Sequence, residues 1–212
     1  MSYSTLIGAQ FFLSAATLDA AKTITSATNA APPVFTANAH GYANGDEILL
    51  LNGWDDFNES VVRASAVAAN TFAVAGYDTT NTDFYPAAGA PGTAQRIPSW
   101  IPLGQVLGIT PSGGEASFEE VKPFDRRNGV KLFTGFSASS LELTLGWDRA
   151  RNDQQQLQTA SRTGAKRAVK FVLPGGIYGY AYGVVSASAL PTFESVLKQK
   201  VVFTMAGQFT SF

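Results

Sequence analysis

From Lys22 to Arg96 no extended run lasts longer than four to seven residues before turn-forming residues interrupt it. Residues 23–26, 34–37, 46–51, 61–67 and 71–74 read as strands, each short and carrying β-branched or apolar side chains. Asn29 to Pro33, Asn38 to Gly45, Asn52-Gly53 and Asn70 separate them. Strands this short, at this spacing, predict a small all-β barrel or sandwich. Tyr77 to Gly92 forms a polar tail containing Gly and Pro, and Arg96-Ile97-Pro98 leads into a different pattern. Residues 22–98 therefore read as an inserted β-module, and 1–21 with 99–212 as the domain that receives it.

In the second domain, residues 5–16 read as a strand with Ile7, Ala9, Phe11 and Leu13 on one side. Residues 100–110 form one apolar run closed by Pro111-Ser112-Gly113-Gly114. Residues 117–123 follow, and Asp125-Arg126-Arg127-Asn128-Gly129 reads as an exposed loop or hairpin tip. Leu141, Leu143, Leu145 and Trp147 alternate with Glu142, Thr144 and Gly146, the period of a half-buried strand. One helix is predicted at about 150–163. Asp148 or Asn152 caps it, with Gln155 completing a capping box, and Gly164 takes the left-handed position at its end. Its apolar stripe is thin and its glutamines many, so it should lie outside a sheet. Strands at 168–173, 177–186 and 195–208 close the chain, the second with Tyr178, Tyr180 and Tyr182 on one face as core or subunit contact.

Chemistry is scarce. There is no cysteine, which removes disulfides, thiolate zinc sites and cysteine nucleophiles together. The single histidine, His40, lies among turn formers and reads as a loop residue bonded to backbone. No phosphate-binding glycine loop is present. Asp55-Asp56 and Glu119-Glu120 are adjacent pairs, which a strand sends to opposite faces. Asp46 and Glu47, at a strand start, read as solvated. No apolar run approaches the ~20 residues that span a bilayer, and Met1 to Thr5 lacks a secretory pattern, which predicts a soluble protein made in a cytoplasm. No catalytic group, cofactor or metal is expected.

Charge is divided unevenly. Residues 22–98 carry three basic and seven acidic side chains, whereas 99–212 carry twelve basic and eight acidic. That predicts either two modules with different surfaces or complementary faces that meet. Arg126, Arg127, Arg149, Arg151, Arg162, Lys166, Arg167 and Lys170 are interleaved with acids, which fits contacts between subunits better than a nucleic-acid stripe.

Ser140-Leu141-Glu142-Leu143-Thr144-Leu145-Gly146-Trp147-Asp148, the helix with Gln155 to Ala160, and Val169-Lys170-Phe171-Val172-Leu173-Pro174-Gly175-Gly176 together resemble the tail tube proteins of lambda-type siphoviruses. Leu107-Gly108-Ile109-Thr110 with its Gly-rich turn looks like that family's first strand, and Met205-Ala206-Gly207 like its last. Ile24-Thr25-Ser26-Ala27, His40 to Ile48 and Ala69-Asn70-Thr71-Phe72 resemble a small β-module recurrent in phage tail proteins and similar to a β-domain of ubiquitin-activating enzymes.

The resemblance implies a mainly β fold, a β-sandwich or barrel with one flanking α-helix, plus the inserted all-β module on the tube exterior. It implies a non-enzymatic subunit of the virion tail, assembled in the host cytoplasm into stacked hexameric rings. Expected partners are further copies of the chain, a tape measure protein inside, terminator and tip proteins at the ends, and double-stranded DNA in passage. The lumen should lack clusters of Lys and Arg, which would hold phosphates. Candidate inter-ring contacts are Phe118, Glu119, Glu120, Lys122, Phe124, Asp125, Arg126, Arg127, Lys131 and Phe133. The alternatives are the inner tube of a contractile machine, a tail adhesin stacking sugars on Phe35, Tyr42, Trp54, Phe57 and Tyr77, and a carboxylate hydrolase using Asp55 or Asp56. A calcium site at Asp55, Asp56 and Glu59 is the one metal site to weigh.

Overall fold

A computed structural model describes residues 8–122, 124, 127–193 and 195–212. In chain order it places β1 (Gln10–Ser14), β2 (Lys22–Ile24), β3 (Ser26–Ala27), β4 (Val34–Thr36), β5 (Glu47–Asn52), β6 (Ser60–Ser65), β7 (Thr71–Val74) and β8 (Gly92–Arg96). Next come β9 (Trp100–Leu103), β10 (Val106–Ser112), β11 (Ala116–Val121), β12 (Val130–Phe136) and β13 (Ser140–Gly146). After α1 (Asn152–Thr163) follow β14 (Lys166–Leu173), β15 (Ile177–Ala187), β16 (Lys198–Met205) and β17 (Thr210–Ser211). The architecture is mainly β, barrel-like sheets with one helix.

Strands β2 to β8 pair only among themselves, in the order β2-β8-β5-β6-β7-β4-β3. The two ends of that order, β2 and β3, are consecutive in the chain with only Thr25 between them. Thr25 N–H still donates to the Thr36 carbonyl at 2.9 Å. One bent strand thus closes the sheet into a barrel and removes its edges. The interior is aromatic: Phe35, Trp54, Phe57 and Phe72 are fully buried together with Ile48 and Leu50. Trp54 Nε1 donates to the Pro86 carbonyl at 2.7 Å, so burial leaves its one polar atom satisfied.

The larger sheet runs β10-β13-β16-β15-β14-β1-β9, with β17 paired to β15. Its end strands are again consecutive in the chain, joined by Gly104-Gln105, so this sheet rolls up as well. The apolar run 100–110 is therefore two strands and not one. Gln105 takes a positive φ of 57°, and a side chain at 104 would collide with the Arg151 guanidinium. Gly104 N–H instead donates to Asp153 at 2.9 Å. The strand expected over 5–16 is observed as β1; residues 5–7 lie outside the described residues.

Helix α1 packs on β15 and β9, with Leu157 and Ala160 fully buried over Leu143, Leu145, Val169 and Val201. Gly164 ends it in the left-handed region, φ 62°. The N-terminus differs from expectation, because Arg151 is the N-cap residue and no side chain caps it. Arg151 and Asp153 form a bidentate pair at 3.0 Å, while Gln155 donates to the Arg149 carbonyl. Nor are all the glutamines solvated: Gln154 is buried, donating to the Gly146 carbonyl and accepting from Asp148 N–H.

Candidate assembly surfaces

Along β5, Ile48 and Leu50 point into the barrel, so Glu47 and Leu49 point out of it toward the large sheet. Glu47 accepts from Lys170 Nζ at 3.1 Å, from the Tyr180 hydroxyl at 2.7 Å and from Trp100 Nε1. The side chains of Glu47 and Lys170 are each only 14% exposed. The expectation that Glu47 is solvated fails because the barrel docks through that face. Burial, then the bond to Glu47, pushes the Tyr180 hydroxyl far above the ordinary phenol range. Around this carboxylate Leu49, Val61, Ile97, Ala168 and Tyr180 form an apolar seam. Lys166 pairs with Glu59 beside it, and Arg63 lies 4.4 Å from the Tyr178 ring centroid. Gly207 passes so close that an added Cβ would stand 2.3 Å from the Glu59 carbonyl. The complementary charge of the two regions is thus partly satisfied inside one chain. Lys166, Lys170 and Arg151 are likewise paired within the chain and not held for a neighbour.

Strands β11 and β12 form a separate two-stranded sheet. Every residue of β11 is exposed. The register sets Phe118 opposite Phe133, and Phe136 opposite Ala116 beyond a bulge. Phe118 and Phe133 meet edge to face at 6.0 Å, Phe133 and Phe136 at 5.2 Å. The three rings make a ladder on one face of the arm, 57%, 56% and 73% exposed. Glu119, Leu132 and Val121 lie on the other face. Such a pair of strands is marginal alone in water, and its outer edges offer unpaired N–H and C=O groups.

Of the predicted contact residues, Phe118, Glu119, Glu120, Lys131 and Phe133 are on these strands. Lys122, Phe124 and Arg127 are exposed between them; Asp125 and Arg126 lie outside the described residues. Phe136 and Leu132 belong to the same arm, on opposite faces, and went unnoticed in the sequence. Phe136 is out of step with Phe133 and reaches its face only through the bulge, so alternation alone does not find it.

Three further surfaces lie on the large sheet. The half of its inner face not covered by α1 is an apolar groove of about 520 Å³, lined by Phe11, Ile109, Leu141, Phe171, Met205 and Phe209. Between the flank of α1 from Gln154 to Arg162 and the N-terminal end of β16 is a second hollow of about 720 Å³, with Trp147, Arg149, Arg162, Leu190, Phe193 and Gln199 on its walls. On the outer face, β10, β13 and β16 present Thr110, Ser112, Glu142, Thr144, Lys200 and Thr204, with Glu142 and Lys200 paired at 2.6 Å.

The other candidate chemistry is absorbed into structure. His40 is buried, stacked 4.7 Å from Tyr42, accepting from Tyr42 N–H through Nδ1 and facing the Thr71 carbonyl through Nε2. Phe35, Trp54 and Phe57 are core, which makes them unavailable for sugar stacking. Tyr42 and Tyr77 pack against that core, and burial pushes both hydroxyls up to about 12. Asp56 accepts from the Tyr85 hydroxyl, and Glu59 is paired with Lys166. Among the described residues no three His, Asp or Glu side chains are grouped to hold a metal, and no helix is long and apolar enough to cross a membrane.

No curated protein matches the chain. A family model of phage tail tube proteins matches residues 52–212, beginning at the last residue of β5 and covering the arm, the whole large sheet except β1, and the seam apart from Glu47 and Leu49. An exposed arm and a barrel docked by buried charge agree with that match. The chain belongs to the phage tail tube protein family: it is a structural, self-assembling protein of the virion tail and not an enzyme.

Proposed function

We propose that copies of this chain close head to tail into hexameric rings of the lambda type, and that the arm at 115–135 joins each ring to the next. The supporting observation is the Phe118–Phe133–Phe136 ladder, an apolar strip on an open-edged hairpin with no described residue of its own chain over it. Phe118, Glu119, Glu120, Lys122, Phe124, Asp125, Arg126, Arg127, Lys131 and Phe133 are the contact residues of this reading. Strands β10, β13 and β16 turn their hydroxyl-rich face to the lumen, where Lys200 is neutralised by Glu142 and the other lysine, Lys198, lies at the start of its strand. DNA phosphates then meet no cationic cluster, and a duplex slides through without being held. The tape measure protein occupies that space first, and terminator and tip proteins cap the ends of a tube built in the host cytoplasm. Residues 22–98 are an accessory module on 1–21 and 99–212, docked beside β14 and β15 on the side of the roll away from the lumen strip.

Electron microscopy of the purified protein tests this. Wild type is expected to form long tubes, and a chain in which a short turn replaces 115–136 is expected to stop at rings. Tubes from the armless chain, or a wild type that stays monomeric at every concentration and salt, would overturn it.

A further inference from the structure

Resting on that reading of the arm, we infer that its receptor is the Arg149–Arg162 hollow of the next copy. The register places donor and receptor at opposite ends of one strand. The arm enters and leaves the sheet at Ser112 and Ser140, whereas the hollow lies past Gly146 and Lys198. Strand β13 has seven residues, so at roughly 3.3 Å per residue these ends stand about 20 Å apart. Each copy presents the arm at one end and the hollow at the other, the arrangement that a repeating heterologous contact requires.

The chemistry of the hollow matches the arm and little else on the chain. Among the described residues Arg149, Arg162 and Glu119 have no ion-pair partner, and Glu120 has only a 4.0 Å contact with Lys122. Leu190 and Phe193, 75% and 78% exposed, form an apolar lip suited to Phe118. Gln199, 1% exposed, uses its amide N–H on the Ser188 carbonyl, but its Oε1 has no donor among the described residues. A buried acceptor of this kind carries a desolvation penalty until a donor arrives. The free N–H groups along the arm's edge supply one. The groove at Phe11 and Phe209 offers apolar contact only and lies at the arm's own base, with Ser112 and Gly113 on its rim.

A charge exchange between separate copies tests the pairing. Glu119→Arg with Glu120→Arg, and Arg149→Glu with Arg162→Glu, should each raise the concentration needed for tubes about a hundredfold. An equimolar mixture should restore tubes, because each arm then has an opposite-charge hollow to enter. Tubes from either variant alone, or none from the mixture, overturn the assignment. A second measurement does not depend on altered charge. The chain has no cysteine, so Phe118→Cys and Leu190→Cys placed on different copies should be joined by a short thiol crosslinker within tubes. Joining only within one chain that carries both, or only to Phe209→Cys, overturns it as well. If the armless chain stops at rings while the mixture fails, the hollow is wrong and the arm reading stands. If the armless chain makes tubes, the arm reading itself falls.

Discussion

The barrel and the arm are built from the same kind of residue and treat it in opposite ways. Phe35, Trp54, Phe57 and Phe72 are fully buried; Phe118, Phe133 and Phe136 stand in solvent. The difference is closure. A strand bent at Thr25 seals the barrel and leaves its aromatics no face on water. Two strands cannot enclose anything, so the arm keeps both its rings and its edges for another surface. Aromatic content by itself says nothing about whether a segment is core or contact; strand number and closure decide.

That contrast can be broken most directly at the rings. Trp54→Ala should lower stability by about 3–5 kcal/mol, as removal of a large core side chain does. The same truncation at Phe118 should change the stability of the unassembled chain by less than about 0.5 kcal/mol, the range for surface substitutions. Urea unfolding below the assembly concentration measures both, and equal losses would erase the distinction.

The second comparison is between the barrel's sealed core and the seam that fastens it. Glu47→Ala leaves Lys170 buried without its anion and should cost about 3 kcal/mol, the lower end for breaking a buried pair. Adding Lys170→Met should recover most of that loss. A single variant as stable as wild type would mean that the barrel is held by apolar contact alone.

The smallest effect concerns Asp153, which ties α1 to the Gly104 crossing. Burial raises its carboxyl, but the Arg151 bonds and the Gly104 N–H outweigh it and hold the group below the ordinary 3.8. A depressed folded value means that the carboxylate contributes fully above pH 3.8 and loses that contribution as pH falls through the folded value. Asp153→Asn should cost about 1–3 kcal/mol at neutral pH and flatten this acid limb, read from thermal melts between pH 2 and 5.

Much of the fold was legible from local pattern. The strand at 71–74, the alternation from Leu141 to Trp147 and the helix with Gly164 at its end all follow from period and turn chemistry. The misreadings share a cause. The break at Gly104-Gln105 interrupts an apolar run in which Pro102 and Gly104 do not by themselves end a strand, and the crowding that requires glycine there comes from Arg151, far along the chain. Arg151 in turn takes the N-cap position and uses its charge on Asp153, so the predicted capping box never forms.

The assembly surfaces divide in the same way. The arm was legible because charge, aromatics and turn formers lie close together in sequence between Gly114 and Phe136. The hollow was not, because Trp147, Arg162 and Gln199 come from a strand end, a helix and another strand.

The sequence alone determined that this chain is mainly β and poor in catalytic groups, since those properties follow from residue type and local period. Only tertiary structure decided that Glu47 is a buried fastener and that Phe35 and Phe57 are core. It also separated arm from hollow by the length of one strand. Those outcomes depend on which strands become neighbours, and pairing between distant segments leaves no local trace in the chain.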